Sequence, residues 1–161
     1  MLRCTKRTFC TNEVSQVEEY IDYYKNASEV RKEWSRTIDT VIRERPVFIQ
    51  RTRDNLIMLD LATLRAAFLQ IPFNVTVYQE EDGSVTCVED QLDLVENAST
   101  EKECIRQLIG AMRDYANDFY QEFTLWSKAP NRRDHIPLVL KILASTDEEI
   151  LEDIRCHAGR N

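Results

Sequence analysis

A change of hydrophobic period at Pro72 separates two stretches of this sequence that cannot fold in the same way. Upstream of Pro72, apolar residues recur mostly every three or four positions, which is the period of an α-helix. Downstream, Phe73, Val75 and Val77 alternate with more polar neighbours, which is the period of a half-buried strand. The sequence therefore predicts an α+β fold built from two parts.

A capping signal opens the main helix of the first part. Asn26 offers a side-chain acceptor and Glu29 follows three residues later, so a helix is predicted over residues 27–44. Its expected buried stripe consists of Val30, Trp34, Ile38 and Val41. A shorter amphipathic helix is predicted in the segment before it from Val14, Val17, Ile21 and Tyr24.

A hairpin and a short helix complete the first part. Because the residue before a proline disfavours the helical conformation, the main helix is expected to end before Pro46. The residues 47–49 and 56–59 predict two strands joined by a polar turn at 51–55. Asp60 can then cap a short helix. The predicted order of the N-terminal part is helix, hairpin, helix.

A small sheet is predicted at the start of the second part. Glu81-Asp82-Gly83 is typical of a hairpin turn, in which Gly83 supplies a positive φ. The partner strand is expected over residues 84–89, and a third strand over residues 92–95.

Helices are predicted after the sheet. Thr100 and Glu103 have the spacing of a capping box, and the apolar residues that follow at helical period predict a long helix. The remaining tail is predicted to be helical, with one helix over residues 136–143 and a last helix that begins at Asp147. The second part thus reads as a β-hairpin and helix unit with C-terminal helices.

Charge is distributed unevenly between the two parts. Residues 1–70 carry a formal charge of +2, whereas residues 71–161 carry 18 acidic and nine basic residues, a charge of −9. Between Lys25 and Arg53, eight basic residues stand against four acidic ones. The first part can therefore meet phosphate, whereas the second part repels nucleic acid and attracts a basic partner. Solvated faces that bind nothing are the alternative interpretation.

Several classes of function are disfavoured by the composition. No window approaches 18 consecutive apolar residues and the first ten residues lack a secretory signal, so we expect a cytoplasmic protein without a membrane partner. The five cysteines are scattered and read as reduced thiols. With three glycines and two histidines, the chain offers no phosphate-binding loop, catalytic set, metal site or cofactor site. We therefore predict that it is not an enzyme.

Residues 26–68 resemble the N-terminal domain of the Phd/YefM antitoxin family. The resemblance rests on a capped helix with the run Asn-Ala-Ser-Glu-Val-Arg-Lys, a Pro-Val strand, a charged turn, a second strand and a short helix. It implies a unit that forms a homodimer through its sheet and binds operator DNA. The DNA-binding residues implied by position are Asn26, Ser28, Arg31, Lys32 and Arg36.

Residues 73–119 resemble the HicB antitoxin domain. They share with it an alternating strand, an acidic Asp-Gly turn, two further strands and a Thr-capped helix, and the resemblance implies a fold that occludes a small toxin. Aromatic residues along the predicted long helix are candidate anchors for that toxin. They are Tyr115, Phe119, Tyr120, Phe123 and Trp126, for which a purely structural role in the core is the alternative.

Together these resemblances predict four regions and one function. The regions are an N-terminal extension (1–25), a Phd/YefM-like dimerisation and DNA-binding domain (26–70), a HicB-like α+β region (71–126) and a helical tail (127–161). The function is that of a type II antitoxin, which neutralises a small ribonuclease toxin by direct binding and represses its own operon. The alternative is a stand-alone dimeric transcriptional regulator whose C-terminal domain senses a ligand.

Overall fold

The computed structural model describes residues 23–68 and 70–159 and divides the chain into two compact units after Asp60. The division precedes the expected boundary at residue 70, because the helix Leu61–Phe68 packs against the C-terminal helix Ile136–Ala144 and so belongs to the second unit. Of the helix predicted within the first 25 residues, Val14, Val17 and Ile21 lie outside the described residues, and Tyr24 lies in a strand.

The first unit is a three-stranded sheet with two helices on one face. The central strand pairs in parallel with the first strand and in antiparallel fashion with the third, as the predicted hairpin requires. Thr52 supplies the positive φ of the hairpin turn. The elements are β1 (Tyr24–Asn26), α1 (Ala27–Lys32), α2 (Trp34–Arg43), β2 (Val47–Arg51) and β3 (Asp54–Met58).

The helix predicted over residues 27–44 is interrupted at Glu33. Its beginning is confirmed, since the Asn26 side chain accepts a hydrogen bond from the Ser28 backbone N–H at 2.9 Å. Glu33 leaves the helical conformation with φ −108° and ψ 35°, so α2 starts anew at Trp34. Trp34 is consequently exposed in a first helical turn, and Thr37 is buried instead. The expected stripe is therefore correct for Val30 and Val41 and wrong for Trp34.

The core of the first unit is small and lies on one face of its sheet. Val30, Val41, Val47 and Ile49 are buried together between the helices and the strands. On the opposite face, the cross-strand neighbours Phe48 and Ile57 are exposed. Among the described residues of the first unit, no helix covers this apolar sheet face.

The second unit is a four-stranded sheet covered by helices. Its elements are α3 (Leu61–Phe68), β4 (Phe73–Gln79), β5 (Val85–Glu89), β6 (Leu94–Ala98), α4 (Glu101–Gln121), α5 (Phe123–Trp126), α6 (Ile136–Ala144), α7 (Asp147–Asp153) and β7 (Ile154–Ala158). The strand order is β6-β5-β4-β7, with antiparallel pairs except for the parallel pair of β4 and β7.

The alternating pattern after Pro72 is confirmed. Phe73 and Val75 are completely buried, and Gly83 has a φ of +86° in the β4–β5 turn. The third strand lies two residues later than predicted, because Leu92 is buried in the preceding turn rather than in the strand. Periodicity thus predicted the sheet and its inward face correctly, whereas the third strand was predicted to begin two residues too early.

The tail is not helical throughout. Helices α6 and α7 are confirmed, but residues Ile154–Ala158 form β7, whose Cys156 lies beside Val75 of β4. The Gly159 N–H extends this pairing by donating to the Val77 carbonyl at 2.8 Å. The prediction of a helical tail is therefore wrong for this segment, because its structure depends on hydrogen bonds to a distant strand. Among the described residues, no helix is both long and apolar enough to cross a bilayer.

Candidate functional site

Three of the five predicted DNA-binding residues line one depression of the first unit. Asn26, Ser28 and Arg31 are brought together with Arg51 and Thr52. The parallel pairing places Asn26 beside Gln50, so the end of β2 carries Arg51 to the beginning of α1. Sequence reasoning did not select Arg51, although it lies in the basic run from Lys25 to Arg53. Its position depends on strand register, which spacing along the chain does not reveal.

The exposed cations of this unit differ in their partners. Lys32 and Arg36 are exposed but do not line the depression, and Arg36 lies 4.0 Å from Glu33. Within the described part of the chain, no carboxylate lies within 4.0 Å of the guanidinium of Arg31 or Arg51. The charge of these two arginines, unlike that of Arg36 and Arg43, is therefore not neutralised by an ion pair among the described residues.

The aromatic residues predicted as toxin anchors separate into a buried group and an exposed group. Phe119 is fully buried, and Tyr115 and Trp126 pack partly buried against the same core. The chain leaves the helical conformation at Glu122, so α5 is a separate helix. Trp126 thereby lies 5.7 Å from Tyr115 and 5.5 Å from Phe119 between ring centroids. Phe119 is a core residue without surface for a partner, and the expectation that the five residues follow one long helix is wrong.

A polar contact ties this aromatic cluster to the segment after α5. The Tyr115 hydroxyl lies 2.7 Å from Nδ1 of His135, and Arg132 donates to the same hydroxyl at 3.3 Å. Burial, together with the charge of Arg132, lowers the pKa of His135 below its ordinary value. Burial likewise raises the pKa of the Tyr115 hydroxyl. Both groups are therefore neutral at pH 7 and serve to position the turn before α6.

The remaining aromatic residues are exposed and close together in sequence. Tyr120 is 62% exposed and Leu125, which sequence reasoning did not select, is 66% exposed, whereas Phe123 is 36% exposed and its ring packs on Phe119 at 5.8 Å between centroids. We call these three residues the aromatic patch. The second unit that carries it holds 18 acidic and ten basic residues, a formal charge of −8. Large exposed apolar side chains on a charged surface are typical of a protein-binding site.

The groups with a chemistry suited to catalysis are not arranged for it. Burial raises the pKa of the Cys156 thiol, and it raises the pKa of the Cys87 thiol to about 12, which is opposite to the activation of a nucleophile. His157 lies on β7, on a different element from His135. Among the described residues, no group of three or more His, Cys, Asp or Glu side chains could hold a metal ion.

One buried carboxyl group was not anticipated from the sequence. Glu89 is completely buried at the end of β5, where one of its oxygens accepts a hydrogen bond from the Leu92 N–H at 2.7 Å. The other oxygen has no hydrogen-bond partner among the described residues. Burial raises the pKa of Glu89 from its ordinary value to about 7. Glu89 lies two residues after Cys87 and four after Val85, which are both buried in β5. Strand alternation in the sequence therefore carried a signal for the inward position of Glu89.

Comparisons with known proteins agree with one another. A family model described as PHD_like, "antitoxin of toxin-antitoxin, RelE / RelB, TA system", matches residues 22–155. A crystal structure described as the antitoxin part of a proposed toxin–antitoxin system from Syntrophomonas wolfei subsp. wolfei is 31% identical, with a TM-score of 0.80. The match covers 84% of this chain and 99% of that one. No curated protein matches the sequence.

Proposed function

Because this chain belongs to the PHD_like family of toxin–antitoxin antitoxins, we propose that it neutralises a small ribonuclease toxin by direct binding through its acidic second unit. Its family and its structural neighbour indicate a non-enzymatic regulatory protein whose partner is a cognate toxin. The finer assignments, Phd/YefM-like for residues 26–68 and HicB-like for residues 73–119, stay predictions.

The aromatic patch on a strongly acidic unit is the observation that carries this proposal. A ribonuclease must attract RNA phosphates, so its active surface is basic, and an acidic unit complements that surface. Apolar anchors then supply the affinity, because a few aromatic residues dominate most protein interfaces. Tyr120 and Phe123 are the members of the predicted set that a partner reaches without unfolding the core.

Substitution of the aromatic patch is expected to weaken toxin binding. Tyr120→Ala removes an exposed ring and Phe123→Ala a partly exposed one, and each should raise the Kd about tenfold or more, corresponding to about 1.4 kcal/mol. Calorimetric titration of the purified toxin measures the change, and growth of cells that express both proteins measures neutralisation.

Tyr23→Ala is the matched control, since Tyr23 is 71% exposed on the first unit and Tyr120 is 62% exposed on the second. The control should leave the toxin Kd within about twofold, because an isolated surface side chain contributes little. Equal affinity of all three variants would contradict the role of the patch. A chain that binds its operator but no toxin would support the alternative of a stand-alone regulator.

The first unit is proposed to bind operator DNA and to repress the operon. Support comes from the predicted residues Asn26, Ser28 and Arg31, which line one depression with Arg51, and from the exposed cations Lys32 and Arg36 nearby in sequence. Backbone phosphates are the ligands that such unpaired arginines bind.

The double variant Arg31→Ala/Arg51→Ala is expected to reduce operator affinity by more than tenfold. Each protomer should lose two phosphate contacts. The slope of log K against log salt should therefore become less negative by about one unit for each lost contact. The control Arg43→Ala removes a cation that lies 3.7 Å from Asp39 and so should change affinity less than threefold. Fluorescence anisotropy over a salt series measures both quantities. An unchanged salt slope would assign DNA binding to another surface.

The sheet face that carries Phe48 and Ile57 supports the proposal of a homodimer. Phe48 and Ile57 are exposed and adjacent there, and the residues described in the first unit bury a small core of four apolar side chains. Burial of this face against a second copy removes apolar area from water. A dimer should appear in the operator titration as two chains per site.

A further inference from the structure

An apolar groove lies in the second unit between the first turns of α4 and the helix α7. Its volume is about 710 Å³. Ile105 and Ile109 of α4 form one wall, and Leu151 of α7 projects from the other. Leu151 is 53% exposed, although it follows the fully buried Ile150. A large apolar side chain that is half-exposed over such a groove is suited to contact with another apolar surface.

The rim of the groove is acidic. Glu101 and Glu148 line it from opposite sides, and in the described part of the chain neither carboxylate lies within 4.0 Å of a cation. With Glu103 and Asp147, the lining carries four carboxylates against two cations, Lys102 and Arg106. Arg106 is engaged by Glu103, whose carboxylate also accepts from Gln107 instead of completing the predicted capping box with Thr100. The charge of Arg106 is therefore largely neutralised within α4.

The α7 wall is held in place by hydrogen bonds and ion pairs. Arg113 of α4 donates to Asp147 at 2.8 Å and to the carbonyls of Ile142 and Ser145, which end α6. Arg65 of α3 donates to the Ala144 carbonyl and pairs with Glu149.

A complete capping box adds to this support, because the Thr146 hydroxyl accepts from the Glu149 N–H and the Glu149 carboxylate accepts from the Thr146 N–H. Since both walls are fixed, little ordering is needed when a ligand enters, and the groove is preorganised.

We propose that this groove is the docking site for a basic, amphipathic segment of the cognate toxin, an inference that rests on the proposed function. Apolar side chains of the segment pack on Ile105 and Leu151, and its Lys or Arg side chains pair with Glu101 and Glu148. The charge of the lining selects this occupant, because four carboxylates against two cations attract a basic segment and repel nucleic acid and acidic segments. The groove thus gives the toxin a second contact, distinct from the aromatic patch.

A synthetic probe tests the chemistry of the groove without the toxin. The probe is an amphipathic helical peptide with Leu on one face and Lys elsewhere, and its twin carries Glu in place of Lys. The full chain should bind the Lys peptide and not the Glu peptide. Leu151→Ser and Glu148→Lys should each weaken binding by about tenfold or more. Equal binding of both peptides, or no effect of either variant, would overturn the proposal.

Matched controls separate the groove from general surface effects. Val95→Ser replaces an apolar side chain that is 58% exposed on β6, and Glu81→Lys reverses a charge in the β4–β5 turn. Both should leave peptide affinity within about twofold. Because Glu148→Lys alters an exposed side chain, the test does not depend on how Leu151→Ser affects folding.

A growth-rescue assay connects the groove with the toxin. If the unaltered chain does not rescue cells from the toxin encoded beside it, the proposed function fails. If the unaltered chain rescues and Leu151→Ser rescues as well as Val95→Ser, the groove proposal fails and the function stands. If Leu151→Ser instead abolishes self-association in sedimentation experiments, the occupant is a second copy and the proposal is wrong. Loss of rescue with both groove variants, together with the loss of peptide binding, is the expected result.

Discussion

Asp153→Ala is expected to lower the free energy of unfolding of the second unit by about 2 to 3 kcal/mol. Asp153 pairs with Lys141 at 2.8 Å, and the Lys141 side chain is only 4% exposed. Removal of the carboxylate leaves a buried ammonium with the Ile71 carbonyl and the face of the Phe73 ring as its remaining contacts. Because the Asp153 side chain is itself 33% exposed, the effect should be smaller than for a completely buried pair.

A double-mutant cycle identifies the pair as the cause. Lys141→Met removes the charge and keeps most of the apolar stem, and replacement of a buried ion pair in this way is often neutral or stabilising. In the Lys141→Met background, Asp153→Ala should cost less than about 1 kcal/mol, so the coupling energy is more than about 1 kcal/mol. Urea denaturation of the four proteins measures this value.

Glu152→Ala is the control, since Glu152 is exposed and adjacent in sequence. It should change stability by less than about 0.5 kcal/mol. Asp153 immediately precedes β7, so its loss should also accelerate hydrogen exchange of the β7 amides. Additive effects in the cycle, or an equal cost of Glu152→Ala, would show that the ion pair does not hold α7 and β7 in place.

Glu89→Gln is expected to change how stability depends on pH. The pKa of Glu89 in the folded protein is about 7, above its ordinary value of 4.5, because the carboxylate is buried. The folded state therefore binds the proton more tightly than the unfolded state does. The stabilisation that this group contributes is fully present below pH 4.5 and is lost as the pH rises through about 7.

The difference in unfolding free energy between variant and native protein isolates this effect. Glutamine is neutral at every pH. The unfolding free energy of the variant should therefore rise by about 3 kcal/mol relative to that of the native protein between pH 4.5 and pH 8. His135 changes the profile in the opposite direction, since its lowered pKa destabilises the fold as the pH falls below 6.5. That contribution is common to both proteins and cancels in the difference.

Urea denaturation at a series of pH values measures the two profiles. Glutamine places an amide N–H₂ where one carboxylate oxygen has no partner, so a constant offset between the proteins is expected in addition. Only the change of the difference with pH reports the titration of Glu89. Parallel profiles from pH 4.5 to pH 8 would contradict a raised pKa for this group.

Local signals predicted most elements of the fold. The Asn26 cap, the strand after Pro46 and the alternation from Phe73 all correspond to observed structure, because each is decided by contacts within a few residues. The basic run from Lys25 to Arg53 in the first unit and the acidic character of the second unit also follow from composition. The same signals failed at Glu33 and Glu122, where helices that are continuous in pattern are interrupted.

The candidate sites were predictable only in part. Spacing selected Tyr115, Phe119 and Trp126 together with Tyr120 and Phe123, but burial separates the first three from the last two. Sequence spacing cannot separate the buried from the exposed residues, because the sides of α4 and α5 that face the core depend on where α6 and the turn before it pack. Arg51 and Leu151 were not selected for the same reason.

Local conformational preference and composition were enough to predict the type and order of most elements, the inward face of the sheet and the acidic charge of the second unit. Long-range packing was needed to make residues Ile154–Ala158 a strand, to bury Lys141 beside Asp153 and to form a groove between α4 and α7. Each of these features joins residues far apart in the chain through hydrogen bonds, ion pairs or packing, which no local pattern encodes.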